Sequence, residues 1–184
     1  MILIGASGKR GVGKTALQNY FVQNFGFQKV SFAESLKNYA ALLFPFLETD
    51  FTYITRKEKN FDKYDWSPRD FCVRLGDFLR FHDEDYFVNH TMATLKDKKA
   101  GRYFIDDVRF LNEAEAIKNK GGFLVRIERY EKFNPYGKNL DIESEKQLDH
   151  YEGFNYKIME PRNLNIHMLH AEGDKIIREV RGKV

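Results

Sequence analysis

The stretch Gly8-Lys9-Arg10-Gly11-Val12-Gly13-Lys14-Thr15 governs the reading of the whole chain. Its glycines at positions 8, 11 and 13 let the backbone curl so that successive N–H groups turn inward toward an anion. Ahead of it, Ile2-Leu3-Ile4-Gly5-Ala6-Ser7 reads as a short buried strand. Behind it, Leu17, Tyr20, Phe21 and Phe25 recur at helical spacing, and Gly26 supplies a stop. Strand, glycine loop and helix in that order complete the P-loop pattern Gly-x-x-x-x-Gly-Lys-Thr. A glycine-rich turn matching by chance would lack the flanking strand and helix. The expectation is a phosphate cradle. Main-chain N–H groups from Gly8 to Ala16, through Lys9, Arg10, Gly11, Val12 and Gly13, would face the phosphates, and the helix dipole would add to them. Lys14 would reach the β- and γ-phosphates of ATP, and the Thr15 hydroxyl would take one position on Mg²⁺.

Outward from that loop, the composition bounds the class. A chain of 184 residues fits one domain with a sizeable core. Its formal net charge of +3 is too mild for a nucleic-acid coat, so no stable nucleic-acid partner is expected, while a pocket for small anions is compatible. Aromatic side chains make up 15% of the residues, which points to a bulky core. The lone Cys72 cannot pair internally, and no Cys/His spacing suggests zinc. A cytoplasmic compartment is the default, and neither a leader nor a membrane-length apolar run is evident.

Strand and helix patterns alternate along the chain. Residues 27–32 read as a second strand, followed by a helix with Leu36, Tyr39, Ala40 and Leu43 on one face. Residues 48–66 lack a period and read as an irregular excursion. Ser67-Pro68 is a helix start, and the helix it opens is expected to bury Phe71, Cys72, Leu75, Phe78 and Leu79. Another helix is expected over 84–98, then a central strand over 101–110 ending in Asp106 and Asp107. A short amphipathic helix, a strand with Phe123, Val125 and Ile127, a polar lid-like loop over 131–153, a last strand and a last helix complete the chain. The alternation predicts an α/β fold, a mostly parallel sheet with helices on both faces, and a ligand site beyond the carboxyl ends of the strands.

The run FIDDVRFLNEAEAIKNKGG (104–122), followed by VRIER (125–129), resembles a signature of the bacteriophage-type deoxynucleoside monophosphate kinases. FAESLK (32–37), SPRDFCVRLGDFLR (67–80) and SEKQLD (144–149) agree with it in the expected order. The chain departs from the family's common pattern at Leu111, where proline is usual, at Asp106, often threonine, and at Arg74, usually glutamine. The resemblance implies transfer of the ATP γ-phosphoryl group to a deoxynucleoside 5′-monophosphate, with Mg²⁺. It also implies a single three-layer P-loop kinase domain over 1–184, with a mobile acceptor-binding helical insertion at about 34–100 and a lid at about 131–153. Related kinases are often homodimers.

Candidate roles follow from position and chemistry. Asp107, at a strand end, could hold Mg²⁺ through water, with Asp106 as the alternative and turn chemistry as the competing reading for both. Arg109 should enter the same crevice and could fork onto phosphate, or else pair with Glu113 or Glu115. Asn112 and Glu113 read first as caps of the next helix, although the resemblance brings them toward the substrate. Arg69 is the preferred ligand of the acceptor phosphate, with Arg80 and Lys37 as further candidates against solvated or packed alternatives. Arg129 is preferred over Arg126 for the lid or the adenine. Glu145 would order the lid or meet the base. Phe61, Tyr64 and Trp66 could stack on a base or simply pack. The rival functions are a P-loop kinase for another acceptor, such as dephospho-coenzyme A or a modified base in DNA, and a nucleotide-binding regulator without catalysis.

Overall fold

A computed structural model describes residues 1–43, 65–96, 101–129, 146–160 and 165–182. Five strands, β1 (Ile2–Ser7), β2 (Gln28–Val30), β3 (Arg102–Val108), β4 (Phe123–Arg129) and β5 (Tyr156–Glu160), form one sheet in the order β2-β3-β1-β4-β5. Every pairing is parallel. The helices are α1 (Lys14–Phe25), α2 (Glu34–Leu43), α3 (Pro68–His82), α4 (Tyr86–Lys96), α5 (Leu111–Asn119) and α6 (Ile166–Gly182). None is long and apolar enough to cross a membrane among the described residues. The expected α/β class is the one observed.

Two compact units make up the chain: Met1–Ser31 with Thr91–Val184, and Phe32–His90. The first holds the sheet. Its central strands are rich in apolar residues because both faces are covered: Leu3, Ile4 and Ala6 on β1, Tyr103 to Ile105 on β3 and Leu124, Val125 and Ile127 on β4 are all buried. From β1 the chain crosses β3 to reach β2, whereas from β3 it crosses back over β1 to reach β4. Right-handed crossovers then put α1 and α5 on opposite faces. The two connections part at the carboxyl ends of β1 and β3, the place where open parallel sheets bind ligands.

An aromatic cluster locks α1 to the sheet. The Phe21 ring meets Phe27 and Phe104 each at 5.1 Å, and Phe25 at 5.4 Å. Gln18, a buried polar residue on the same helix, is satisfied by donating to the Phe104 carbonyl at 2.9 Å. On the outer side, α6 presents Leu169, Gly173, Ile176, Ile177 and Val180 at helical spacing. It is tied to α1 by the Tyr20 hydroxyl donating to Asp174 at 2.7 Å and by a Tyr20–His170 stack with centroids 4.0 Å apart. Gly26 ends α1 as expected, its N–H returning to the Phe21 carbonyl.

The described residues of the second unit are mostly helical. Ser67 caps α3: its hydroxyl accepts from the Asp70 N–H at 3.2 Å while the Asp70 carboxylate accepts from the Ser67 N–H at 2.9 Å, with Pro68 in the first turn. The face of α3 differs from the expectation. Gly76 is buried and Phe71, Cys72, Leu75 and Leu79 are half-buried, but Phe78 is 59% exposed. The contact with α2 runs along Gly76, where an added Cβ would lie 3.3 Å from Leu36 and 3.1 Å from Arg80, and this turns Phe78 outward. On α2, Leu36 and Ala40 are buried as expected, while Tyr39 and Leu43 are exposed. The strand expected over 27–32 is shorter, Gln28–Val30, as edge strands commonly are.

Candidate active site

The phosphate loop leaves β1 at Ser7 and enters α1 at Lys14. Its glycines take backbone conformations that side chains resist: φ is +149° at Gly8, +80° at Gly11 and +107° at Gly13. At Gly8 a Cβ would also stand 2.3 Å from the Ile127 carbonyl oxygen, so the loop passes over β4 with no room for a side chain. Val12 is buried and pins the middle of the loop, whereas Thr15 and Gly11 are exposed and Lys9, Arg10, Lys14 and Ala16 are partly so. The Lys14 ammonium folds back onto the loop, donating to the carbonyls of Gly8 at 2.6 Å and Lys9 at 2.9 Å.

The paired aspartates separate at a bulge. Gly5 pairs with Ile105 and Ser7 with Val108, so Ala6 alone on β1 faces both Asp106 and Asp107 on β3. The extra residue re-aims side chains that would otherwise simply alternate. The carboxylate of Asp106 accepts from the Thr15 hydroxyl at 2.7 Å, and that of Asp107 accepts from the Ser31 hydroxyl at 2.7 Å, just past β2. The carboxylate beside Thr15 is therefore Asp106 and not Asp107, which was the first expectation. Two hard oxygen donors, a hydroxyl and a carboxylate, suit Mg²⁺. Among the described residues no cluster of three or more His, Cys, Asp or Glu side chains could hold a metal.

Next along the chain, Glu113 is buried, and its carboxylate accepts from the main-chain N–H groups of Arg109 at 2.8 Å and Phe110 at 3.1 Å. It caps α5 and fixes the backbone that carries the half-buried Arg109. Gln147 adds to this end, accepting from the Leu111 N–H at 2.8 Å.

A further group at the loop was not anticipated. Arg126 on β4 is almost fully buried, and it donates to Ser7 Oγ at 3.1 Å, Asp149 Oδ1 at 2.8 Å and Glu128 Oε1 at 3.0 Å. Asp149 Oδ2 takes the Lys9 ammonium at 2.6 Å. Burial works against charge on Asp149, but the hydrogen bonds from Lys9 and Arg126 prevail and hold its carboxyl below the usual carboxylate range. Strand alternation separates Arg126 from Arg129, and it is Arg126 that meets the loop; its place beside Ser7 depends on the pairing of β4 with β1, which the sequence alone does not give. Arg129 itself closes β4. Glu145, Phe61 and Tyr64 lie outside the described residues, as does most of the segment expected as a lid. Within it, residues 146–150 form a turn held by Gln147, by buried Leu148 and by Asp149.

In the helical unit, Lys37 is exposed on α2 and Arg69 is partly exposed in the first turn of α3. The Arg80 guanidinium lies over the Phe87 ring at 4.5 Å, a packed position three turns along the helix from Arg69. Trp66 packs against Phe71, ring centroids 5.6 Å apart.

The parallel sheet and the glycine loop between β1 and α1 are those of the α/β P-loop class; a relative named as a kinase makes the chain a nucleotide kinase and hence a phosphotransferase. The fold matches that of a dephospho-CoA kinase from Campylobacter jejuni with a TM-score of 0.50 over 97% of this chain and 96% of that one, at 14% identity, which speaks for the fold alone. No family model matches the chain. A viral relative, the "Putative deoxynucleotide monophosphate kinase" of Acanthamoeba polyphaga mimivirus, is 33% identical over 145 residues, 70% of this chain and 75% of the relative. The chain belongs to the deoxynucleotide monophosphate kinase family.

Proposed function

We propose that the chain transfers the γ-phosphoryl group of ATP to a deoxynucleoside 5′-monophosphate, yielding the diphosphate and ADP. The observation that carries the chemistry is the Thr15 hydroxyl held 2.7 Å from the Asp106 carboxylate at the mouth of a glycine loop closed to side chains. The acceptor rests on the viral relative and on the 104–122 signature.

Thr15 and Asp106 would hold Mg²⁺, which when bound neutralises charge on the β- and γ-phosphates. Lys14 exchanges its two carbonyl partners for phosphate oxygens, and the anion replaces a neutral acceptor with a charged one. Arg109, on a backbone braced by Glu113, offers a planar fork to the group in flight. Asp107 and Ser31 form a polar pair on the β2 side of the metal pair, suited to the acceptor nucleotide. Lys37, Arg69 and Arg80 are acceptor-phosphate candidates of the helical unit Phe32–His90, which we assign to acceptor binding on the resemblance. No general base is needed, because the acceptor oxygen is already anionic at neutral pH. Alignment and charge neutralisation do the catalytic work.

A panel of deoxynucleoside and ribonucleoside monophosphates, with dephospho-coenzyme A alongside, tests this with ATP and Mg²⁺. ADP release matched by a deoxynucleoside diphosphate is expected. ATP binding with no diphosphate from any monophosphate would leave the regulator reading in its place. Lys14→Ala should cut turnover by roughly 10²–10³-fold without unfolding the chain, measured as turnover and thermal melting on one preparation. Near-normal turnover in the folded variant contradicts the role given to Lys14.

A further inference from the structure

We propose that Asp149 is a positioning residue of the donor site: through Lys9 it holds the first arm of the phosphate loop in the shape that receives a nucleotide's polyphosphate. This rests on the donor-site reading of the loop. The inference begins with Arg126, whose side chain is 6% exposed. A guanidinium that deep must be neutralised and hydrogen-bonded, or it would not stay in a sheet core. It meets Ser7, the last residue of β1, and Asp149, with the Phe154 ring 5.7 Å from its centre. Asp149 divides its oxygens, one to buried Arg126 and one to Lys9 on the loop.

The carboxylate is well braced. Its turn is fixed by Leu148, 3% exposed, and by the Gln147 bond to Leu111. A few residues on, the Asn155 side chain accepts from the Leu124 N–H at 2.9 Å, and the Asn155 N–H donates to the Leu124 carbonyl at 2.9 Å. Lys9 in turn is gripped at both ends. Its ammonium is on Asp149 and its carbonyl accepts from Lys14. A chain of contacts thus runs from the sheet interior through Arg126, Asp149 and Lys9 to the resting place of Lys14.

The opposite role is also physically definable. If Asp149 merely withheld Lys9 from the phosphates, or only lowered the local positive potential, neutralising it would tighten nucleotide binding. Positioning predicts the reverse sign, because a loop freed at residue 9 must be ordered again on binding.

The experiment is calorimetric titration of ATP with Mg²⁺ into wild type, Asp149→Asn, Lys9→Met, the double variant and Asp149→Glu, with KM for a deoxynucleoside monophosphate measured beside it. Each single variant should weaken ATP roughly tenfold, and the double should be no weaker than the worse single, because the two residues act as one unit. Asp149→Glu should recover part of the loss, and the monophosphate KM should hold within about twofold of wild type. Tighter or unchanged ATP binding in the single variants, or losses that simply multiply in the double, overturns the proposal. Should Asp149→Asn fail to fold, Asp149→Glu decides, since it keeps the negative charge and shifts only the carboxylate that meets Lys9: positioning expects ATP binding weaker than wild type, and binding equal to or tighter than wild type overturns the proposal. Wild type that binds no ATP refutes the donor-site reading itself, whereas wild-type binding with indifferent variants refutes only the role of Asp149.

Discussion

At the residue scale, spacing made some positions legible and left others hidden. Lys14 and Thr15 follow from the loop pattern because the motif is local: the strand end, glycine curl and helix start fix both side chains within eight residues. Asp106 and Asp107 could be located at a strand end, but not told apart. Their separate partners, Thr15 and Ser31, depend on a bulge opposite Ala6, and a bulge is set by pairing with another strand. Cys72 offers a residue-scale prediction. Burial pushes its thiol up from 9.0 to about 11, with Lys37 and Arg69 pulling weakly the other way. At pH 8 the folded chain should carry roughly a hundredfold less thiolate at this site than the unfolded chain. Iodoacetamide labelling followed by mass spectrometry should therefore be slow for native protein and fast in urea. Equal rates would contradict the burial. The folded form holds this proton more tightly, so its contribution favours folding below pH 9 and fades as pH climbs from there toward 11.

At the element scale, helix starts and stops were the most legible features. Ser67-Pro68 opens α3 and Gly26 closes α1, because capping needs only the few residues at the end itself. Ser67→Ala should cost about 1 kcal/mol of stability, with Ser67→Gly losing only a few tenths. Urea denaturation of the three proteins checks this, and an alanine variant as stable as wild type would mean that the reciprocal bond with Asp70 contributes nothing. Which face of a helix is buried was less legible. Phe78 was expected inside α3 from periodicity, and it is out because the helix seats Gly76 against Leu36. Periodicity identifies a stripe, but a helix with apolar residues on several sides can turn any of them inward, and the neighbour's shape chooses.

At the scale of the whole molecule, nucleotide binding should appear as global stability. A ligand that binds only the folded chain, at a hundredfold excess over its dissociation constant, adds about 2.7 kcal/mol. For a chain of this length that is a rise in melting temperature of roughly 5–10 °C. ATP with Mg²⁺ should produce such a rise in wild type, and Lys14→Ala should lose most of it. A variant that shifts as far as wild type would place the nucleotide elsewhere than the loop. Sequence by itself determined the α/β class, the phosphate loop with its lysine and threonine, the helix caps and the aspartate pair at the end of β3, because each is written in residues that are neighbours along the chain. Only the tertiary structure decided which aspartate stands by Thr15, which face α3 buries, and that Arg126 reaches Lys9 through Asp149. Those contacts join residues tens to more than a hundred positions apart, and strand order, register and one inserted residue bring them together.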